Sequence, residues 1–188
     1  MSMKQNIEWI DSLLMYGIDR PNRRIFLFDD VDNMPIGLVI KAMYWMDSES
    51  KKPIQLHVGS YGGCEYDMFA LYDVIQTLKS PIHTVAIGKC MSAAPLLVAC
   101  GRKGYRMAAP NTFFMVHQAH GDIGGKVDEV KNNLEHWKVL EERWNTLMAK
   151  HTKKSIDFWK AQCEKIGDRY FDAKQAKEWG LVDKVWGD

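Results

Sequence analysis

The chain has 188 residues, enough for one domain with a substantial apolar core and too few for two ordinary domains. Its apolar share of 46% and charged share of 26% exclude a mainly disordered chain. The formal net charge of +1 gives no electrostatic signal for nucleic acid or an anionic membrane as a partner. Because the sequence shows neither a membrane-spanning apolar run nor a signal-type leader, we expect a cytoplasmic protein.

Helices and strands are predicted to alternate along the first half of the chain. Ile7, Ile10, Leu13 and Leu14 give the first segment one apolar face, and glycines and prolines mark the breaks. The predicted elements are a helix at 7–16, a strand at 25–28, a helix at 35–47, a strand at 54–58, a tight turn at 59–63, a helix at 65–79 and a strand at 84–87.

The alternation continues in the second half. Pro95 is acceptable only in the first turn of a helix, so the apolar helix at 92–99 should begin very near Ser92. The elements predicted after it are a strand at 112–116, a helix at 126–150, a helix at 173–179 capped by Asp172, and a strand at 181–185. This succession predicts one α/β domain over residues 1–188, with largely parallel strands.

The segment 126–150 carries the longest helical pattern. Its apolar residues recur every three or four positions and include two tryptophans, while lysine, glutamate and asparagine fill the other face. Such a helix can lie on the core of its own domain. It can equally project and pack against a partner subunit, and the pattern leaves both interpretations open.

The four cysteines give no signal for a metal site or a disulfide. None of them forms a CxxC pair, and three stand in apolar surroundings. We interpret Cys90, Cys100 and Cys163 as small buried residues in a reducing compartment, and we predict no bound metal. Cys64 differs because it directly follows a Gly-Gly pair.

Three features able to support chemistry follow predicted strands. Ser92 comes after the strand at 84–87 and begins an apolar helix, His117 follows the strand at 112–116, and Gly62-Gly63 follow the strand at 54–58. Because ligands collect at the carboxyl edge of parallel sheets, we expect the three to meet there. A serine activated by a histidine is a nucleophile, and backbone N–H groups at a helix start or a glycine turn can stabilise an oxyanion.

Four segments of the chain, in order, resemble the proteolytic subunit of the Clp protease, the ClpP family. Residues 88–101 resemble its nucleophile segment and residues 110–118 its histidine segment. Residues 59–63 look like its oxyanion turn, and residues 168–183 are similar to its C-terminal acid segment. The resemblance covers roughly residues 24–186, and four motifs in one order are far more specific than any one alone.

The resemblance implies a role for each candidate residue. Ser92 is the expected nucleophile, His117 the general base and Asp168 the acid that orients the histidine. Gly63 and Ala93 are the expected oxyanion-hole donors.

Two other carboxylates, Asp172 and Asp157, compete with Asp168 for the acid position. The stretch from His151 to Asp168 is about two residues longer than the family usually has, which leaves the register open. Asp172 has a helix-cap role that accounts for it, so Asp168 is preferred.

The family also implies a fold, an assembly and partners. We expect a ClpP/crotonase-like α/β fold in which the helix at 126–150 is a handle that joins two stacked rings of seven subunits. The expected activity is that of a serine endopeptidase, cleaving unfolded polypeptides and short peptides in an enclosed chamber. A hexameric AAA+ unfoldase of the Clp type would deliver substrate and use ATP, so no cofactor is expected on this chain. Nucleic acid and membranes are not expected partners.

The chain departs from the family pattern at several positions. The segment before the first helix, which gates the pore in the family, is short. Ala93 replaces the methionine after the nucleophile, Ala119 and Tyr61 replace prolines, and Gly167 replaces an arginine that helps to join the rings. These changes bear on gating and ring stacking more than on the catalytic pair.

Three other interpretations remain at the level of sequence. A non-catalytic ring subunit would keep the fold without the chemistry. The presence of both Ser92 and His117 argues against this interpretation. An acyl-CoA enzyme of the crotonase type would bind coenzyme A and would not need this pair. A standalone peptidase would cleave short peptides with no gain from an unfoldase.

Overall fold

The computed structural model of the chain describes residues 3–164 and 167–188. The helices are α1 (Met3–Tyr16), α2 (Asn33–Glu49), α3 (Glu65–Thr77), α4 (Ala94–Ala99), α5 (Val127–His151), α6 (Ile156–Cys163) and α7 (Ala173–Trp179). The strands are β1 (Ile18–Asp19), β2 (Arg24–Leu27), β3 (Ile54–Ser60), β4 (Ile82–Met91), β5 (Arg106–Ala108), β6 (Phe113–Val116), β7 (Arg169–Asp172) and β8 (Lys184–Val185). Two sequence-based expectations lie partly outside the described part of the chain. One is the absence of a leader, which concerns Met1 and Ser2, and the other is the apolar role of the Ile7 side chain.

The described strands form one mainly parallel sheet in the order β1-β2-β3-β4-β5-β8, and β6 pairs with both β4 and β7. The pairs β2–β3, β3–β4, β4–β5, β4–β6 and β5–β8 are parallel. Only β1–β2 and β6–β7 are antiparallel among the described strands. The predicted α/β fold with a largely parallel sheet is therefore confirmed.

Strand β4 changes its neighbour halfway along its length. Residues 84–86 pair with β5, whereas residues 89–91 pair with β6. Gly88 lies between these halves with a φ of 71°, a left-handed conformation that glycine adopts without steric cost. The second half thus brings the end of β4, and Ser92 after it, beside the end of β6.

One apolar core joins the sheet to the helices around it. Fully buried side chains come from strands and helices alike: Ile25, Leu56, Met43, Leu71, Leu96 and Phe114. Cys90, Cys100 and Cys163 are buried free thiols, as predicted, whereas Cys64 is half-buried. Because this core is close-packed, it fixes the strand ends that carry the candidate site.

Several predicted boundaries were wrong, and four elements were not predicted. The strand predicted at 84–87 continues to Met91, and the last strand is confined to Lys184–Val185. Strands β1, β5 and β7 and helix α6 were not predicted. The strands are two to four residues long and carry charged residues, so they leave no apolar run in the sequence.

Helix α5 buries side chains in the domain core through its second half. Its buried residues are Leu140, Trp144, Asn145 and Met148. In its first half, Val127 is 69% exposed and Leu134 is 46% exposed. The second half therefore lies on its own core, and the first half keeps an apolar surface that nothing in the described chain covers.

A buried ion pair ties β5 to the segment before β8. The Arg106 side chain is 3% exposed, and its Nη2 lies 2.6 Å from Asp183 Oδ1. Burial alone would raise the pKa of Asp183, but hydrogen bonds from Arg106 and from the Gly104 N–H outweigh it and hold the pKa below its ordinary value. The ionised form of Asp183 is therefore favoured more strongly in the folded chain than in the unfolded one.

Asp183→Asn should lower the free energy of unfolding by roughly 3 kcal/mol near neutral pH, because it leaves the Arg106 charge buried without a counter-charge. The pKa of Asp183 is lower in the folded state. The pair's contribution to the free energy of unfolding is therefore complete above the ordinary carboxyl pKa and is lost as the pH falls through the folded pKa.

Urea unfolding measures this effect. Between neutral and strongly acidic pH, the difference in the free energy of unfolding between wild type and Asp183→Asn should become smaller. Asp188→Asn, which removes an exposed ion pair with Lys177, is the control and should change little. A difference that does not depend on pH would contradict this account.

Candidate active site

Ser92 lies in a sharp turn between strand β4 and helix α4. Its φ is 58°, which few residues other than glycine adopt, and its N–H donates a hydrogen bond to the Met115 carbonyl at 2.9 Å. Helix α4 begins at Ala94, two residues later than predicted, with Pro95 in its first turn. Such strained strand-to-helix turns expose the nucleophilic serine in α/β-hydrolases.

His117 directly follows strand β6 and contacts Ser92. The two side chains are joined by a hydrogen bond of 2.8 Å between His117 Nε2 and Ser92 Oγ. His117 Nδ1 contacts the backbone carbonyl of Gln118, and because a carbonyl can only accept, Nδ1 is the donor there. In a neutral ring bonded in this way, Nε2 carries no proton and can accept the proton of the serine hydroxyl.

The Gly62-Gly63 turn after β3 lies against the turn that carries Ser92. A Cβ on Gly62 would lie 2.5 Å from Ser92 Cβ and 2.9 Å from the Ala93 nitrogen. A Cβ on Gly63 would lie 2.3 Å from the Val31 carbonyl oxygen. Only glycine fits at either position, which explains why the sequence places the pair there.

The amide groups around this turn divide into bonded and unbonded donors. The Ser92, Gly62 and Cys64 N–H groups donate to Met115, to the Ser60 hydroxyl and to Val31, respectively. Within residues 3–164 and 167–188, the Gly63 and Ala93 N–H groups have no acceptor. Two unused donors therefore flank the serine.

Asp168 lies opposite His117 by register, but its carboxylate is bonded elsewhere. The antiparallel pairing of β6 and β7 sets Val116 opposite Arg169, so the next positions along are His117 and Asp168. The Tyr170 hydroxyl donates to Asp168 Oδ2 at 3.1 Å, a bond that raises the pKa of Tyr170. Asp168 makes no hydrogen bond to His117 in the described part of the chain. The structure thus brings the two backbone positions together and leaves their side chains apart.

The competing carboxylates have other positions. Asp172 Oδ1 accepts a hydrogen bond of 2.8 Å from the Gln175 N–H and caps α7, as predicted. Asp157 lies in the first turn of α6, where a negative charge favours the helix dipole. Both have structural roles, and Asp168 is the carboxylate whose register faces His117.

Two cavities meet at the Ser92–His117 pair. A cleft of about 700 Å³ opens on the side of the glycine turn, and its lining includes Gly63, Tyr61, His120 and Tyr170. A second cavity of about 260 Å³ opens on the side of α5 and α6. An extended chain can therefore pass over the serine with space on both sides.

Sequence reasoning missed three contributors to this site. The Gln118 carbonyl fixes the histidine tautomer, Tyr170 holds Asp168, and the His120 ring centroid lies 4.8 Å from that of His117. A main-chain carbonyl leaves no mark in a sequence. Tyr170 and His120 could have been found only by their closeness in sequence to Asp168 and His117.

The parallel sheet and the serine–histidine pair at its carboxyl edge define a hydrolase-type site. The family model described as Clp protease matches residues 12–188 of the chain, and the protein belongs to this family. Membership makes it a peptidase that acts in protein degradation. No helix in the described part of the chain combines the length and apolar character needed to cross a membrane.

Proposed function

We propose that the protein is a cytoplasmic serine endopeptidase that cleaves unfolded polypeptides and short peptides inside an oligomeric chamber. Ser92 is the nucleophile, His117 the general base and Asp168 the orienting acid. The observation that carries this proposal is the 2.8 Å hydrogen bond between Ser92 Oγ and His117 Nε2, the geometry in which a histidine can accept a serine proton.

Each step of the proposed mechanism has a candidate group near Ser92. Ser92 Oγ attacks the scissile carbonyl carbon while His117 Nε2 takes the hydroxyl proton. The oxyanion that forms is stabilised by the Gly63 and Ala93 N–H groups, the two unused donors beside the serine. His117 then gives its proton to the leaving amine, and water, deprotonated by His117, hydrolyses the acyl-enzyme.

Asp168 is proposed to exchange Tyr170 for His117 during the cycle. A rotation of its side chain would bring the carboxylate to the ring nitrogen that now contacts the Gln118 carbonyl. There it would stabilise the imidazolium formed when Ser92 loses its proton. Tyr170 therefore holds the acid in a resting position.

Tyr170→Phe and Asp168→Asn should change activity in opposite directions. Removal of the phenol frees Asp168 from an exposed hydrogen bond, so kcat/KM for a short fluorogenic peptide should rise modestly, by roughly two- to fivefold. Asp168→Asn should lower kcat by about three to four orders of magnitude, because the histidine loses its charge partner. The Asp172→Asn variant, matched in chemistry, should keep its kcat and nearly all of its stability, because an asparagine Oδ1 can still accept the hydrogen bond from the Gln175 N–H.

Retention of full activity in Asp168→Asn would remove that residue from the mechanism, and a loss of kcat in Asp172→Asn would point to Asp172 instead. Circular dichroism of each variant separates a catalytic loss from a folding defect.

The proposed assembly is a ring of seven subunits, with two rings stacked and α5 as the handle between them. The exposed apolar side chains Val127 and Leu134 on the first half of α5 support a partner surface there. A hexameric Clp-type AAA+ unfoldase is the proposed source of unfolded substrate and the user of ATP. This chain would then need no cofactor of its own.

A further inference from the structure

The cavity between the nucleophile turn and helices α5 and α6, called here the α5–α6 pocket, adjoins the reacting atoms. Its lining includes the site residues Ser92, Ala93 and His117, and also Leu140, Trp144 and Cys163. In the proposed mechanism the scissile carbonyl lies between Ser92 Oγ and the Ala93 N–H. The side chain of the residue that supplies this carbonyl therefore lies beside the pocket.

The buried part of the α5–α6 pocket lining is apolar except for Asn145. Ala93, Leu140, Trp144 and Cys163 are each less than a tenth exposed and belong to the domain core. A wall of this kind favours the methylene stem of a long side chain over a short polar one.

The polar groups of the pocket are mainly carboxylates. Its lining includes Glu65, Glu141, Glu142 and Glu164, against the two cations Lys138 and Lys160. Lys138 Nζ is engaged by Glu135 Oε1 at 2.7 Å, outside the lining. Glu141 is held in place because its Oε1 accepts a hydrogen bond of 2.9 Å from the Ala119 N–H. The pocket therefore carries an excess of negative charge and of hydrogen-bond acceptors.

A buried amide in the lining also lacks a donor. Asn145 is 6% exposed, and its Oδ1 has no hydrogen-bond partner in the described part of the chain. An unpaired buried acceptor costs free energy, which a donor from a bound side chain would recover. This orphaned oxygen is independent of the carboxylates and points to the same kind of ligand.

We propose that the α5–α6 pocket selects lysine or arginine as the residue that supplies the scissile carbonyl, with Glu65, Glu141 and Asn145 as its specificity-determining residues. The apolar wall receives the methylene stem, and the carboxylates and the amide oxygen receive the N–H donors of the cationic head. This assignment rests on the proposed peptidase function and adds the substrate class to it.

A pair of fluorogenic peptides that differ only in lysine or norleucine before the scissile bond tests the pocket in the assembled protein. The two residues share the same straight stem, so the kcat/KM ratio isolates the ammonium group. We expect lysine to be favoured by roughly tenfold, as a partly buried charge-assisted contact would give. The double variant Glu65→Gln, Glu141→Gln should bring the ratio close to one while norleucine cleavage continues.

The control is Glu178→Gln, an exposed carboxylate on α7 outside the pocket lining, which should keep the wild-type ratio. Asn145→Leu should lower the ratio by a smaller factor than the double variant. Equal or better cleavage of the norleucine peptide by wild type would overturn the inference, and so would a ratio unchanged in the double variant. Fluorophosphonate labelling separates the two claims: a labelled Ser92 with a norleucine preference overturns the pocket alone, whereas an unlabelled folded protein overturns the proposed function with it.

Discussion

Ser92→Ala should abolish peptide hydrolysis, lowering kcat by about four to six orders of magnitude, with the fold and assembly unchanged. The effect is this large because the hydroxyl forms the acyl-enzyme, and the remaining donors and binding contacts supply only a small residual rate. Alanine removes one oxygen from a half-buried position, so it leaves no core cavity.

Hydrolysis of a short fluorogenic peptide measures this loss directly, since it needs no unfoldase. Size-exclusion chromatography and thermal unfolding of the variant should match those of wild type. Appreciable activity in a folded Ser92→Ala protein would assign the chemistry to another nucleophile, of which the nearby half-buried Cys64 is the first to examine.

Gly62→Ala should lower kcat/KM by roughly a hundredfold or more, although residue 62 takes no chemical part. The new methyl group would meet Ser92 Cβ at 2.5 Å and the Met91 carbonyl oxygen at 2.6 Å, so the nucleophile turn must move. Displacing a reacting group by about 1 Å is enough for a loss of this size.

Gly104→Ala is the matched control for this variant. Gly104 has a φ of 90°, close to the 97° of Gly62, but a Cβ there would have no neighbour within 4 Å. Both variants carry the same kind of backbone strain, and only Gly62→Ala carries the clash with the nucleophile. Equal losses of kcat/KM in the two variants would show that strain, and not the position of Ser92, sets the effect.

The neighbouring positions of Ser92, His117 and the glycine pair could be predicted from the sequence. Each follows a buried strand, and the strands β3, β4 and β6 are parallel, so their carboxyl ends meet at one edge. A close backbone approach at Gly62 could also be predicted from the sequence, because a pair of glycines after a strand indicates close backbone contact.

The orientation of Asp168 could not be predicted from the sequence. Strand β7 is four residues long and has one buried residue, so it leaves no pattern from which its pairing with β6 could be inferred. Even with that register known, the choice between Tyr170 and His117 as partner depends on a small free-energy difference between exposed hydrogen bonds. The pattern of residue types along a strand does not predict free-energy differences this small.

The two interpretations of α5 could not be separated from the sequence because the same apolar stripe runs through both halves of the helix. The structure divides it near Leu140, where the side chains begin to be buried by α4 and α6. Only tertiary contacts distinguish Trp144, which packs against Trp159, from Leu134, which lies at the surface.

The most direct test of the account is fluorophosphonate labelling of the folded protein, with mass mapping of the modified peptide, in wild type and in His117→Ala. The reagent modifies a serine that a base has activated. Labelling therefore tests whether His117, at 2.8 Å from Ser92 Oγ, activates this serine. We predict labelling at Ser92 in wild type and its loss in His117→Ala. Labelling at another residue, or labelling of Ser92 that persists without His117, would contradict the proposed nucleophile and base.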